Sequence, residues 1–287
     1  MTETMQCMEI WGGNQSVEKH FHRPGLDVWL YSRPHENVAS GGDVYYLSSC
    51  ASGRISRLLL ADVSGHGLRV SKLAGRLRDL MRRHVNSISQ ARFVEAMNRE
   101  FVELNHEGSF ATAIVGTFFA STRSFQLSVA GHPRPLLYRH ATGSWELFDI
   151  APDDAGTTVL LNAPLGIAES AGYGQTRLNL GTGDMILAYT DGLTEARVAG
   201  GRLLETTGLL NLIQTLDATQ PESLLQSLMD SLREQATEPI GDDLSALLIR
   251  ADGSRATLWN TILSPFRLLQ QVRDKTRFRQ PRKSPGR

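Results

Sequence analysis

The sequence contains little cysteine, no long hydrophobic run and no net charge. Its two cysteines, Cys7 and Cys50, have no spacing typical of a metal site or of a disulfide framework. No apolar stretch approaches the roughly 18 residues that a membrane-spanning helix needs, and the N-terminal residues lack the basic start and apolar block of a secretory signal. These absences favour a protein of the reducing cytoplasm over a disulfide-stabilised or membrane-spanning one.

The zero net charge conceals an uneven distribution. Residues 253–287 carry nine Lys/Arg and one acid, a charge of +8, and the remaining 21 basic and 29 acidic residues give −8. This tail also places Leu258, Trp259, Ile262 and Leu263 at helical spacing. It suits peripheral contact with an anionic membrane or with an acidic partner, and a solvated, disordered tail is the alternative. We expect no nucleic-acid partner.

The pattern of apolar residues predicts an α+β fold. The apolar fraction of 41% is ordinary for a globular protein. About ten strand-like segments accompany two separate pairs of helices, which is not a βαβ alternation, and we therefore predict two packed sheets with helices outside. The chain is expected to divide into an irregular N-terminal segment, one folded domain and the basic tail, over residues 1–25, 26–252 and 253–287.

Two groups of predicted strands follow one another closely enough to suggest hairpins. The first comprises segments at about 125–130, 135–140 and 145–149. In the second, "TRLNL" and "DMILAYT" flank the turn at 181–184. We expect the members of each group to lie side by side.

Four segments place an aspartate beside or close to glycine at the end of a strand. Asp62 and Asp191 end apolar runs, Asp43 follows two glycines, and Asp242 precedes "LSALLI". Each alone is explained by a turn, since Asp and Gly are common turn residues. Together the carboxylates would repel unless a cation compensates, and no Lys or Arg lies adjacent. Oxygen ligands favour hard ions, and a pair of Mg²⁺ or Mn²⁺ could bind phosphate and activate water.

Six motifs occur in order over about residues 26–250, namely "GGD", "ADVSGHG", "AGHPRPLL", "APLGI", "GDMILAYTDGLTEAR" and "GDDLSALLI". In this order they resemble the bacterial SpoIIE/RsbU-like branch of the PPM family of metal-dependent serine/threonine protein phosphatases. The resemblance implies a β-sandwich of two antiparallel sheets flanked by helix pairs, with two Mn²⁺ or Mg²⁺ ions. It implies that Asp62 is catalytic and bridges the two ions, and that the backbone carbonyl of Val63 is also a ligand. The other acids of the implied metal site are Asp43, Asp191 and Asp242.

The chain departs from the family pattern at three places. Tyr46 stands where many relatives carry an acid, Val129-Ala130 replaces the usual residues before "GH", and Ser64 stands where eukaryotic members carry a histidine proposed as general acid. None of these changes removes an expected metal ligand. The donor of a proton to the leaving group is not identified.

Several further polar residues have a functional and an ordinary interpretation. His66 and Glu195 either act near the metals or belong to a turn and a solvated surface, and Arg33 either binds the substrate phosphate or is solvated. Asp243 is expected to support Asp242 rather than to bind metal. Two histidine features are interpreted as structural or incidental, namely His132 in a tight turn and the "HFH" of residues 20–22.

These observations predict hydrolysis of phosphoserine or phosphothreonine on a regulatory protein. The resemblance implies that the substrate is a phosphorylated STAS-type anti-sigma-factor antagonist or a similar partner-switching component. A catalytically weak member that binds a phosphoprotein without turnover is the alternative, and the complete set of aspartates argues against it. A diguanylate-type enzyme is disfavoured because "GGD" lacks the other residues of that signature.

Overall fold

The computed structural model describes residues 2–4, 10–50, 53–65, 67–87, 89–104, 108–150 and 160–254. The predictions for His66 and for the tail after residue 254 therefore lie outside the described residues. None of the described helices has the length and apolar character required to cross a membrane.

Fifteen strands and four α-helices occur in the described ranges. The strands are β1 (Thr2–Thr4), β2 (Ile10–Gly13), β3 (Val17–Arg23), β4 (Leu26–Arg33), β5 (Asp43–Ser49), β6 (Ile55–Val63), β7 (Ala111–Phe119), β8 (Ser124–Ala130), β9 (Leu136–Arg139), β10 (Ser144–Leu147), β11 (Thr176–Asn179), β12 (Met185–Tyr189), β13 (Arg197–Val198), β14 (Arg202–Leu203) and β15 (Leu244–Ala251). The helices are α1 (Leu68–His84), α2 (Gln90–Leu104), α3 (Glu205–Gln214) and α4 (Pro221–Gln235).

Two large sheets form a sandwich. The first has seven strands in the order β1-β3-β4-β15-β12-β9-β10, and the second has six in the order β11-β8-β7-β6-β5-β2. Every pairing in the two sheets is antiparallel except the one between β1 and β3 at an edge. A short ribbon of β13 and β14 lies apart from both sheets. The predicted α+β sandwich is confirmed.

Both faces of each sheet are covered, which explains the nearly continuous apolar strands. On β6, Leu58 and Leu60 pack against the other sheet, whereas Leu59 and Ala61 pack beneath α1 and α2. The outer face of the first sheet is covered in the same way by α3 and α4. A strand that is buried on both faces loses its alternation of apolar and polar residues, as "LLLA" illustrates.

The described part of the segment expected to be irregular, residues 2–4 and 10–25, contains three strands. β3 pairs with β4 along its whole length, from Val17 opposite Ser32 to Arg23 opposite Leu26, and β2 pairs with β5 in the other sheet. The sequence of β3, "VEKHFHR", contains only two apolar residues, because the strand lies near the sheet edge and contributes chiefly Phe21 to the core. A weak apolar pattern concealed the strand.

The expected hairpins are also only partly correct. β9 and β10 do pair, but β8 precedes them in the other sheet. Similarly, β11 pairs with β8 in the second sheet, whereas β12 lies in the first. Consecutive strands here cross between the sheets, and a short connection does not reveal whether the chain turns within one sheet or passes to the next.

Candidate metal centre

The first two predicted acids are direct neighbours across β5 and β6. Asp43 begins β5 and Asp62 lies one residue before the end of β6, and the register places them opposite each other. Alternation along the strands places Asp43 on the face of Tyr45 and Asp62 on the face of Leu60, which is the face directed toward the other sheet. Asp43 is buried and Asp62 is half-buried. Like charges opposite each other in a ladder are destabilising.

The other two acids come from the facing sheet. Asp191 follows β12 and opens a short 3₁₀ turn, and Asp242 lies just before β15. Because β12 and β15 pair antiparallel, these two segments meet at one end of the sheet. Gly192 permits this approach, since a Cβ there would lie 2.1 Å from the carbonyl oxygen of Asp243. Close packing against the backbone of Asp243 therefore explains why glycine follows Asp191.

A threonine joins the two halves of the cluster. The hydroxyl of Thr190 donates a hydrogen bond to Asp43 Oδ2 at 2.8 Å and accepts one from the amide of Ser245 at 3.1 Å. Thr190 is fully buried. Thr190 was not among the residues predicted from the sequence, although a threonine between the apolar run "MILAY" and Asp191 was a usable signal.

Asp243 anchors the backbone around Asp43. Its carboxylate accepts hydrogen bonds from the amides of His35 at 2.6 Å, Gly42 at 2.6 Å and Asp43 at 3.1 Å. The neighbouring Asp242 accepts from the amide of Asp243 at 2.7 Å. Asp243 thus fixes the start of β5 with Oδ2 and the backbone of His35 with Oδ1. Asp242 is the more exposed of the two acids.

The carboxylates perturb one another strongly. Burial, followed by the charges of Asp191 and Asp242, raises the pKa of Asp62 to about 7. Burial and the charge of Asp242 raise the pKa of Asp191 to about 6. The pKa of Asp43 is raised well above its ordinary value by burial and by Asp62, and burial raises that of Asp242. Burial is the largest cause of these shifts, and the negative charge of neighbouring carboxylates adds to it.

The donor set and the available space fit hard divalent cations. A Cβ on Gly42 would lie 2.9 Å from the carbonyl oxygen of Val63 and 3.3 Å from Asp62 Oδ1, so the glycine leaves open the space that these two oxygens border. All the expected ligands are oxygens, which Mg²⁺ and Mn²⁺ prefer. Among the described residues, no three of the four aspartates bring carboxylate oxygens within 4.8 Å of one another. These carboxylates would therefore move closer together on binding an ion, which would offset their mutual repulsion.

The remaining predicted residues differ in their proximity to the acids. Glu195 is exposed, but its charge contributes to the raised pKa values of Asp62 and Asp191, which places it within electrostatic reach of both. Arg33 is exposed, and its guanidinium lies 5.9 Å from the centre of the Tyr31 ring. The structure therefore places Glu195 beside the cluster and gives Arg33 a surface contact.

His132 lies behind the cluster rather than in it. Its Nδ1 is 2.9 Å from Thr112 Oγ1, and Thr112 is the register partner of Asp62 on β7. Burial lowers the pKa of His132 to about 3, so the ring is neutral. This geometry agrees with the structural interpretation of His132, and it adds Thr112 as a neighbour of Asp62 that the sequence did not indicate.

Comparisons with known proteins identify the same family as the motifs. Residues 52–252, more than half of the chain, match the family described as Stage II sporulation protein E (SpoIIE). The phosphoserine phosphatase RsbU of Bacillus subtilis (strain 168) is 25% identical over 227 residues, which are 78% of this chain and 63% of RsbU. The chain therefore spans less than two thirds of the length of that relative.

Solved structures share the architecture. The RsbU and RsbW domains of a Mycobacterium tuberculosis protein align with a TM-score of 0.67 and 25% identity, covering 91% of this chain and 70% of that one. The PP2C phosphatase domain of SpoIIE from Bacillus subtilis aligns at 0.65 and 14% identity, covering 85% and 71%. RsbX in complex with magnesium aligns at 0.58 and 15% identity, covering 82% and 100%. With its sandwich of PP2C type and a family match over most of the sandwich, the chain belongs to the SpoIIE family.

Proposed function

We propose that this protein hydrolyses phosphoserine or phosphothreonine on a regulatory protein in a divalent-metal-dependent reaction. The observation that carries the proposal is the meeting of acids from both sheets at one end of the sandwich, where the pKa of Asp62 rises to about 7. Such a cluster is costly without cations. The relative named phosphoserine phosphatase and the magnesium complex of RsbX support the same chemistry.

The residues that would hold two Mn²⁺ or Mg²⁺ ions are Asp43, Asp62, the carbonyl of Val63, Asp191 and Asp242. When bound, the ions would polarise the phosphoryl group and supply a water nucleophile. The chain itself orients these ligands. Thr190 fixes one oxygen of Asp43, and the backbone contacts of Asp243 fix the turn before it. Asp62 faces Asp43 from β6 and is the acid expected to lie between the ions.

The proposed substrate is a phosphorylated STAS-type anti-sigma-factor antagonist or a similar component of a partner-switching system. The relative named phosphoserine phosphatase RsbU, and the solved structure that contains an RsbU and an RsbW domain, support this class of substrate. We further propose that the protein acts in the cytoplasm, with the basic tail available for contact with a membrane surface or an acidic partner.

The test is loss of phosphate from phosphorylated STAS proteins of the same genome, incubated with the full chain in Mn²⁺ or in EDTA. We expect turnover in Mn²⁺ or Mg²⁺, none in EDTA, and none when Zn²⁺ is supplied at equal concentration. Asp62→Asn keeps the side-chain shape but removes the charge, and it should reduce turnover at least about a hundredfold. The variants Asp191→Ala and Asp242→Ala should raise the concentration of Mn²⁺ required, and Glu195→Ala should do so more mildly.

Three results would contradict parts of this proposal. Full activity in EDTA after dialysis would exclude a metal-dependent reaction, and more than about a tenth of wild-type activity in the Asp62→Asn variant would exclude the bridging role. Tight binding of the phosphoprotein in Mn²⁺ without release of phosphate would identify the protein as a phosphoprotein-binding regulator.

A further inference from the structure

A second group of side chains of the types that bind metals lies at the opposite end of the first sheet. His22 on β3 is the register partner of Asp27 on β4, and Asp252 directly follows β15, which pairs with the other edge of β4. Asp242 and Asp243 of the aspartate cluster directly precede β15, and the eight residues of this extended strand separate them from Asp252 by roughly 25 Å. The two groups therefore do not share ligands.

The three side chains converge on one point. His22 Nδ1 lies 2.9 Å from Asp27 Oδ1 and 3.4 Å from Asp252 Oδ2, and all three atoms lie within 4.8 Å of one another. Ligand atoms about 2 Å from a tetrahedral ion are about 3.3 Å apart. The two measured separations lie on either side of that value. A small movement of the side chains would therefore suffice for these atoms to share an ion.

The carboxylates are held in place by other contacts. Asp252 Oδ1 accepts hydrogen bonds from the amide and the hydroxyl of Ser254, which leaves Oδ2 directed toward His22. Asp27 Oδ1 is also 3.2 Å from Nε2 of His20, whose ring stacks on Trp29 at 4.5 Å with an interplanar angle of 3°. Ligands that are oriented by neighbouring groups in this way bind metal more tightly.

An ion pair between His22 and one carboxylate does not account for the approach of the second carboxylate. Nδ1 of His22 carries at most one hydrogen, yet two carboxylate oxygens approach it. Asp27 and Asp252 are only about 15% exposed, which weakens solvent screening of their mutual repulsion. When the proton is on Nε2, the lone pair of Nδ1 and the two carboxylates present three ligands to one cation. Mixed imidazole and carboxylate ligands suit Zn²⁺ and its neighbours better than Mg²⁺.

We propose that His22, Asp27 and Asp252 form a second metal site, distinct from the aspartate cluster, that takes one Zn²⁺-like transition-metal ion. His20 is a positioning residue that orients Asp27. The fourth ligand position is left to water. The ligands come from three strands, β3, β4 and the end of β15, so that a bound ion would tie the edge of the sheet to its centre.

The test is titration of the full chain with Co²⁺, a coloured substitute for Zn²⁺, in the presence of millimolar Mg²⁺ to occupy the oxygen-only centre. We expect one equivalent of Co²⁺ to bind with a visible spectrum typical of tetrahedral nitrogen and oxygen ligands. His22→Gln and Asp252→Asn should each weaken this binding at least tenfold. The matched control is His84→Gln, because His84 pairs with a single carboxylate, Glu100, at 2.6 Å.

The outcome is independent of phosphatase activity. The Asp62→Asn variant, which is expected to be inactive, should bind Co²⁺ at this site as the wild type does. The proposal is overturned if wild type and His22→Gln bind the same number of Co²⁺ ions with the same affinity and spectrum, since the cluster is then an ion pair only. Because His22 is 40% exposed, the Gln variant should fold normally, and its melting curve without metal checks this.

Discussion

The hydroxyl of Thr190 donates a hydrogen bond to the carboxylate of Asp43 across the gap between the two sheets, with an oxygen–oxygen distance of 2.8 Å. Thr190 follows β12 in the first sheet, and Asp43 begins β5 in the second. This contact connects the two halves of the aspartate cluster within the protein itself. The orientation of Asp43 therefore depends on how the sheets are packed, and not only on its own strand.

Replacing Thr190 by valine should weaken metal binding. Valine keeps the shape but removes the donor to Asp43 and the acceptor for the amide of Ser245. A hydrogen bond to a charged group contributes about 1.5–3 kcal/mol, so the Mn²⁺ concentration for half-maximal activity should rise about tenfold or more. Thr190→Ser keeps the hydroxyl and should behave as the wild type. Equal Mn²⁺ requirements for the Val and Ser variants would show that this bond does not orient Asp43.

Replacing Asp243 by alanine should destabilise the fold as well as the site. The backbone amides of His35, Gly42 and Asp43 would lose their acceptor, and each unsatisfied buried group costs about 1–3 kcal/mol. We expect the free energy of unfolding to fall by at least about 2 kcal/mol in denaturant titrations. The control is Asp230→Ala on the exposed face of α4, where an acid pairs only with surface groups, and it should change stability by less than about 0.5 kcal/mol. Equal effects of the two substitutions would contradict the anchoring role.

The metal-free protein should become less stable as the pH rises. The pKa of Asp62 is about 7 in the folded protein and near 4 in an unfolded chain, so the native state retains its proton when the unfolded state has lost it. Stability therefore falls as pH rises through this window. In EDTA, Asp62 should contribute a loss of about 2–3 kcal/mol between about pH 5 and pH 8.

Two comparisons isolate this effect in denaturant titrations across the pH range. Asp62→Asn cannot ionise and should show a flatter pH profile in EDTA than the wild type. Saturating Mn²⁺ favours the ionised carboxylates and should remove the loss in the wild type. Identical pH profiles for wild type and variant in EDTA would show that Asp62 is not held protonated by its neighbours.

The sequence revealed the acids of the candidate site but not the contacts between them. Asp62 and Asp191 were recognisable from a local pattern, because each ends an apolar run and has a glycine within the next three residues. The pairing of Asp43 with Asp62 and the bond from Thr190 depend on strand register and on sheet packing, which join residues far apart in the chain. A short connection between strands did not indicate whether they share a sheet.

The same reasons explain why the sequence did not predict the cluster of His22, Asp27 and Asp252. "HFH" was interpreted as an incidental surface feature because it stands alone in the sequence. Asp252 lies more than two hundred residues away, and only the pairing of β15 with β4 brings it to His22. The strand that carries the histidines was itself missed, since polar residues dominate β3 near the sheet edge.

Deleting residues 255–287 should separate chemistry from surface binding. This tail lies outside the described residues, and the prediction rests on its net charge of +8 and its helically spaced apolar residues. Each basic residue near an anionic membrane contributes about 1 kcal/mol. The truncated protein should hydrolyse a small phosphoester at the wild-type rate in Mn²⁺, while its sedimentation with anionic vesicles should fall sharply. Neutralising Lys275, Arg277 and Arg279 to glutamine is the matched control for charge at constant length, and it should give intermediate, salt-sensitive binding. Equal vesicle binding by the full and truncated proteins would exclude the membrane role and leave contact with an acidic partner or a solvated tail.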